Sequence, residues 1–315
     1  VTEPRILRLG TRSSALAQAQ AALAAAALAR MHPDATIRTQ IVRTLGDRVT
    51  ETPLSVMAAQ ASGVFTSALE TALCEGEIDV AVHSAKDLPI EPSAGVALAA
   101  ALPRADVRDV LISRSQFTLN ALPRGAVVGT SSPRRAAQLW ATRPDLAIDD
   151  LRGNVDTRIA RALDADGPFD AIVLARAGLD RLNRSEHISE TLSLNIILPA
   201  PAQGAIVLQT RADAEWVTLV EQVNDAETFQ AITAERAFLQ GLGGGCALPV
   251  AAYASMERSK MHLRGRVLHR QGRQQVDVEG RYPIRTDEDA RAAGFALAQQ
   301  ALDSGARALM AEDDR

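Results

Sequence analysis

With only two cysteines among its 315 residues, Cys74 and Cys246, the chain has no disulfide framework to rely on for stability. Aromatic residues make up only 3%, net charge is −4, and no zinc-finger or RNA-binding signature occurs, so nucleic acid is excluded as the principal partner. Long apolar runs are missing too. No stretch reaches the ~20 continuous apolar residues that a membrane-spanning helix needs. The alanine-rich segment from Ala15 to Ala29 is broken by Gln18 and Gln20 and lacks the cleavage pattern of a secretion signal. It reads as a helix following a strand, and the expected location is cytoplasmic, with no membrane partner. No thiolate–histidine cluster has zinc spacing, so no metal is expected. Internal repeats and low-complexity linkers are also absent.

What is present is ordinary globular material: 47% hydrophobic and 23% charged residues, enough for two or three cores. Short apolar runs alternate with helical patterns, the signature of α/β folding. Ile78–Val82 suits a buried parallel strand, and His83-Ser84-Ala85-Lys86-Asp87-Leu88-Pro89 follows it directly. Ligands gather beyond the carboxyl ends of strands in open α/β sheets, which makes Asp87 the leading proton-handling candidate. Arg12 and Ser14 sit at another strand-to-helix junction, and Cys74 falls in an apolar helical pattern that predicts burial. From Asp225 onward a helix, three alternating strands and a long helix over Asp287–Leu309 predict a smaller α+β domain.

Two segments concentrate arginine beside hydroxyls and turn residues: Gly129-Thr130-Ser131-Ser132-Pro133-Arg134-Arg135 and Leu151-Arg152-Gly153-Asn154-Val155-Asp156-Thr157-Arg158. Fork-shaped cations clustered in a chain of low net charge point to a carboxylate-rich or phosphorylated small molecule. Separately, Gly241-Leu242-Gly243-Gly244-Gly245-Cys246 places a thiol in a glycine-dense turn, where it can hold or attack a ligand.

Taken in order, Gly10–Ser14, Val82–Pro89, the two arginine segments, Leu198–Gly204 and Gly244-Gly245-Cys246 resemble the porphobilinogen deaminase (hydroxymethylbilane synthase) family through nearly the whole chain. The resemblance implies a dipyrromethane cofactor joined by a thioether to Cys246. Onto that primer four porphobilinogen molecules condense with loss of ammonia, and hydrolysis releases hydroxymethylbilane. Asp87 matches the catalytic aspartate. Arg12, Ser14, Gln20, Lys86, Thr130, Ser131, Ser132, Arg134, Arg135, Arg152, Arg158 and Gln203 match cofactor- and substrate-binding positions, and Ser62 and Phe65 fall in the active-site loop. Two positions depart from the family pattern: Ser62 replaces a common lysine, and Arg176 stands where a small apolar residue is usual.

The implied fold is α/β with three domains: residues 1–101 with 200–220, then 105–196, these two resembling a two-lobed periplasmic-binding-protein-like fold, and a smaller C-terminal α+β domain over 224–315. A monomer is expected. The alternative is a two-lobed small-anion-binding module, which needs neither a covalent primer nor Cys246.

Overall fold

The computed structural model describes residues 5–42, 61–91, 93–244, 249–258 and 260–311. The chain divides into two compact units, Val1–Arg104 with Ala205–Phe229, and Ala105–Gly204 with Gln230–Arg315.

The first unit is built on a five-stranded sheet containing β1 (Ile6–Thr11), β2 (Thr36–Ile41), β3 (Val80–Ser84), β4 (Val96–Ala101) and the returning β10 (Ile206–Arg211), in the order β2-β1-β3-β10-β4. β1 runs parallel to both β2 and β3, whereas β10 is antiparallel to β3 and β4. Parallel neighbours need crossovers, and α1 (Ala15–Met31) and α2 (Ala61–Cys74) lie in them. The period of two along the strands sorts side chains between faces. Leu7, Leu9, Val80 and Val82 pack on Ala21, Ala24 and Leu28 of α1 and on Val220 of α6 (Ala214–Glu221), while Ala81 meets Leu69 and Leu73 of α2. Each fully buried leucine stabilises by roughly 1.5–3 kcal/mol. Cys74, the last residue of α2, lies beyond the Leu69–Leu73 stripe and is exposed, contrary to the burial predicted from its helical pattern.

The second unit holds two sheets. One contains β5 (Asp109–Ser113), β6 (Val127–Gly129), β7 (Ala147–Asp149), β8 (Ala171–Ala175) and β9 (Glu190–Thr191), in the order β7-β6-β8-β5-β9. β6 is parallel to β7 and β8, and β5 is antiparallel to β8 and β9, so parallel strands again sit beside antiparallel ones. α3 (Pro133–Thr142) begins with Pro133 behind an Ser132 cap, and α4 (Val155–Leu163) is capped by Asn154, whose Oδ1 accepts the Thr157 N–H at 2.8 Å. Next come α5 (Arg176–Arg181) and a proline-rich crossing that turns through Ala202 (φ 64°) and Gly204 (φ 87°). The buried Glu235 carboxylate braces this turn, accepting the Ala202 N–H at 2.6 Å and the Ala254 N–H at 2.7 Å. At Gly204 a side chain would lie 2.7 Å from the Ala105 carbonyl oxygen, so glycine is required.

The other sheet is an antiparallel meander of β11 (Val250–Glu257), β12 (Lys260–Leu268) and β13 (Gln275–Pro283). Phe238 of α7 (Ala226–Gly241) and Leu297 of α8 (Asp287–Ala301) close its core with Met261, Leu263 and Val267. The helical stretch predicted over Asp287–Leu309 is helical along most of its length but kinks at Gly305, which takes φ 103°, and α9 (Arg307–Ala311) follows it.

Candidate active site

Because β1 and β3 run parallel, the turns after them open at one edge of the sheet. The turn after β1 carries Arg12 and Ser14; the short 3₁₀ turn after β3, Ala85–Asp87, carries Lys86 and Asp87. Between them lies an open pocket of about 100 Å³ lined by Arg12, Ser14, Gln20, His83, Ser84 and Asp87, among others. The structure thus brings together four residues singled out in the sequence: Arg12, Ser14, Gln20 and Asp87. Asp87 and its neighbour Lys86 are exposed, and among the described residues nothing hydrogen-bonds to the Asp87 carboxylate. A carboxylate in that condition can accept an N–H from a ligand or exchange a proton with it without first breaking a protein contact.

The pocket walls are held by local hydrogen bonds. Ser14 caps α1, its Oγ accepting the Ala17 N–H at 3.3 Å, which leaves the hydroxyl proton to donate elsewhere. Gln20 is 3% exposed and its Nε2 donates to Ser84 Oγ at 2.8 Å, joining α1 to the end of β3. His83 is buried, with Nε2 3.0 Å from Gln209 Oε1 of β10. Burial is the main reason its pKa falls to about 4; the Arg12 charge acts in the same sense, against the Gln209 hydrogen bond and the Glu70 carboxylate. His83 is therefore neutral at physiological pH.

In the second unit the predicted anion cradle divides into two clusters, each around an acid that the sequence reading passed over. Arg134 and Arg135 are only 5% and 7% exposed and converge on fully buried Asp109: Arg134 Nη2 donates to Oδ2 at 2.8 Å and Arg135 Nη2 to Oδ1 at 2.7 Å. Gln203 Nε2 adds a third donor to Oδ1 at 3.0 Å and also reaches the Val107 carbonyl at 2.7 Å. Burial pushes the Asp109 carboxyl upward, but the two guanidiniums outweigh it and hold the group far below the usual carboxylate range. Two cations around one anion leave an excess of one positive charge, and Arg135 Nε is enclosed without a hydrogen-bond partner among the described residues.

The second cluster is more open. Arg152 Nε donates to Asp150 Oδ2 at 2.8 Å, and the nearby Ser131 hydroxyl, then the Arg152 hydrogen bond and the Arg152 and Arg158 charges, lower the Asp150 pKa. The Ser131 hydroxyl can give its single proton to the Leu151 carbonyl, 2.6 Å away, and Arg158 Nε donates to the Gly153 carbonyl at 2.7 Å. Thr130 Oγ1 accepts the Ser132 N–H at 3.2 Å, and Ser132 Oγ accepts the Arg135 N–H at 3.4 Å. Arg176, the departure from the family pattern, is held locally by Thr191 and by Asp106 and Asp180. Arg181, which the sequence reading missed, donates to the Gly204 carbonyl at 2.7 Å, and burial lowers its pKa to about 10.

Cys246 lies outside the described residues. Ser62 and Phe65 lie on α2, where only the backbone is described. Among the described residues no group of histidine, cysteine and carboxylate side chains could hold a metal, and no helix is long and apolar enough to cross a membrane.

An exposed carboxylate and a guanidinium that line one pocket at the edge of an α/β sheet form the kind of site that can take a small, carboxylate-bearing molecule. Two family models match the chain: porphobilinogen deaminase, dipyromethane cofactor binding domain, over residues 7–218, and porphobilinogen deaminase, C-terminal domain, over residues 229–303. Porphobilinogen deaminase of Syntrophomonas wolfei is 42% identical over 312 residues, 98% of this chain and 99% of the relative. Those of a Roseiflexus species and of Roseiflexus castenholzii are 45% and 43% identical, each over 306 residues, 97% of this chain and 98% of the relative. The chain belongs to the porphobilinogen deaminase family. It is a transferase of tetrapyrrole biosynthesis that condenses four porphobilinogen molecules with loss of ammonia and releases hydroxymethylbilane, using a dipyrromethane cofactor.

The pocket suits that cofactor by the chemistry of its donors and acceptors. Pyrrole N–H groups need an acceptor, which Asp87 offers; acetate and propionate side chains need cations and hydroxyls, and Arg12 and Ser14 stand at the same opening. When bound, the dipyrromethane supplies the terminal pyrrole carbon at which the chain is extended.

Proposed function

We propose that Asp87 is the group that handles protons and stabilises positive charge during each deaminating condensation, and that Cys246 carries the dipyrromethane through a thioether. The observation that carries this reading is the exposed Asp87 carboxylate at the mouth of the pocket, without a hydrogen bond among the described residues. Asp87 can accept the pyrrole N–H of an incoming ring, favour departure of the protonated amine by its negative charge, and take up the proton lost when the new carbon–carbon bond forms. Lys86 and Arg12 hold substrate carboxylates nearby. Ser14 and Gln20 contribute neutral hydrogen bonds.

Arg134, Arg135, Arg152 and Arg158, with Thr130, Ser131, Ser132 and Gln203, are assigned to carboxylates of the cofactor and growing chain. For Arg134 and Arg135 the support is the positive charge left over after Asp109 is matched. Ser62 and Phe65, in the first turns of α2 and not in a loop, are assigned in this reading to the helical border of the active-site loop. The repeated mixed pattern of β2-β1-β3-β10-β4 and β7-β6-β8-β5-β9 supports two lobes of periplasmic-binding-protein type, and the β11–β13 meander with its own core supports a third domain. The domain limits remain 1–101 with 200–220, 105–196 and 224–315. The enzyme acts as a cytoplasmic monomer on porphobilinogen and the growing pyrrole chain, without nucleic acid or membrane.

Intact-protein mass spectrometry tests the attachment. Wild type is expected to carry the mass of a dipyrromethane, and Cys246→Ser to lose both that increment and turnover. Persistence of the increment on Cys246→Ser would place the thioether elsewhere.

A further inference from the structure

The Asp87 pocket has a wall residue to which the roles proposed above give no task. His83 sits on β3, four residues before Asp87, and lines the same pocket. Behind it runs a chain of side chains whose hydrogen bonds have only one consistent direction. Glu70 of α2 accepts from Ser93 Oγ at 2.8 Å through Oε2 and from Gln209 Nε2 at 2.9 Å through Oε1. A carboxylate can only accept, so the Gln209 amide must turn its NH₂ toward Glu70 and its oxygen toward His83. That oxygen is 3.0 Å from His83 Nε2, so Nε2 must carry the proton. The lone pair then belongs to Nδ1. Among the described residues none hydrogen-bonds to Nδ1, and His83 lines the pocket.

Resting on the assignment of Asp87 to the chemistry, we infer that His83 is a positioning residue of this pocket: the Glu70–Gln209 relay fixes its proton on Nε2, so that a neutral ring presents the Nδ1 lone pair to an N–H donor of the bound pyrrole substrate. The groups facing the ring are consistent with this. Glu70 from α2 and Gln209 from β10 lie behind it; Arg12, from the turn after β1, supplies a cation that disfavours a second one; Asp87 lies on the shared pocket wall. A neutral His83 leaves Arg12 and Lys86 as the cations competing for substrate carboxylates at this opening. It also gives the substrate a second acceptor that, unlike Asp87, adds no negative charge.

The test is nitrogen-15 NMR of the histidine rings in the wild-type holoenzyme, with His83 assigned by its loss in His83→Asn. The expected result is the Nε2–H tautomer with no ring titration between pH 5.5 and 8, because folded His83 titrates near 4. An Nδ1–H tautomer, or a midpoint close to the ordinary ~6.5, overturns the inference. Kinetics provide a second readout. Glu70→Gln frees the Gln209 amide to reverse and is expected to mix the tautomers. His83→Phe, which has no acceptor, is expected to lower kcat/KM for porphobilinogen by up to about 10-fold. His83→Asn restores an acceptor and is expected to recover part of that loss; a folded His83→Phe as active as wild type overturns the inference even if the tautomer is as stated. Should wild type carry no dipyrromethane mass, the attachment reading fails instead, and the ring spectrum still decides the relay.

Discussion

Asp87 and Asp109 are the same residue type in opposite conditions. Asp87 stands exposed at a sheet edge with no described hydrogen-bond partner, while Asp109 has no exposed surface and is gripped by Arg134, Arg135 and Gln203. A buried ion cluster is costly to assemble and more costly to leave half-made, so Asp109 serves order in the second unit. Asp87 serves reaction, because an uncommitted carboxylate can meet an incoming N–H. Charge content alone would not separate the two; their partners do.

Substituting each aspartate in turn breaks this comparison. Asp87→Asn is expected to lower kcat by about 10²- to 10⁴-fold, the range typical of losing a proton-transfer group, with no change in thermal midpoint. Equal losses of activity and stability would erase the distinction from Asp109. Asp109→Asn leaves two buried guanidiniums without their anion and is expected to destabilise the fold by about 3–5 kcal/mol in denaturant titrations. The pH dependence sharpens the contrast. The folded pKa of Asp109 is depressed, so its stabilisation is complete above the unfolded value of ~3.9 and is lost as pH falls through the folded one. Wild type is therefore expected to lose this contribution below about pH 4, whereas Asp109→Asn has no such step; parallel acid-unfolding curves would count against the clamp. The smallest effect on stability belongs to Arg152→Lys. The Arg152–Asp150 pair is exposed, and surface pairs contribute ~0–1 kcal/mol, so the thermal midpoint is expected to stay within a degree or two. Losing the guanidinium fork should nevertheless slow chain elongation in single-turnover assays. Equal rates for every chain-length intermediate would remove Arg152 from the substrate path.

Much of the site could be read in the sequence because its residues are close together along the chain. A β-branched run followed by a polar turn announced Asp87, and a hydroxyl before a helical stretch announced Ser14 as well as Ser132. Asp109 and Gln209 were not legible, since their partners lie across the fold. Asp109 pairs with arginines 25 and 26 residues away and Gln209 with Glu70 at a separation of 139. The one local clue to Asp109 was a carboxylate opening an apolar strand, where an unpaired charge is hard to sustain. Helical periodicity likewise misled at Cys74, which falls past the end of the buried stripe, and did not signal the kink at Gly305, where φ is positive.

The most direct test of the account follows the mass of the Asp87→Asn enzyme after addition of porphobilinogen. In wild type, species heavier by successive pyrrole rings are expected before product release. In Asp87→Asn the ladder is expected to stall, while the protein stays folded. A ladder that climbs at the wild-type rate would contradict the claim that this carboxylate drives the condensation.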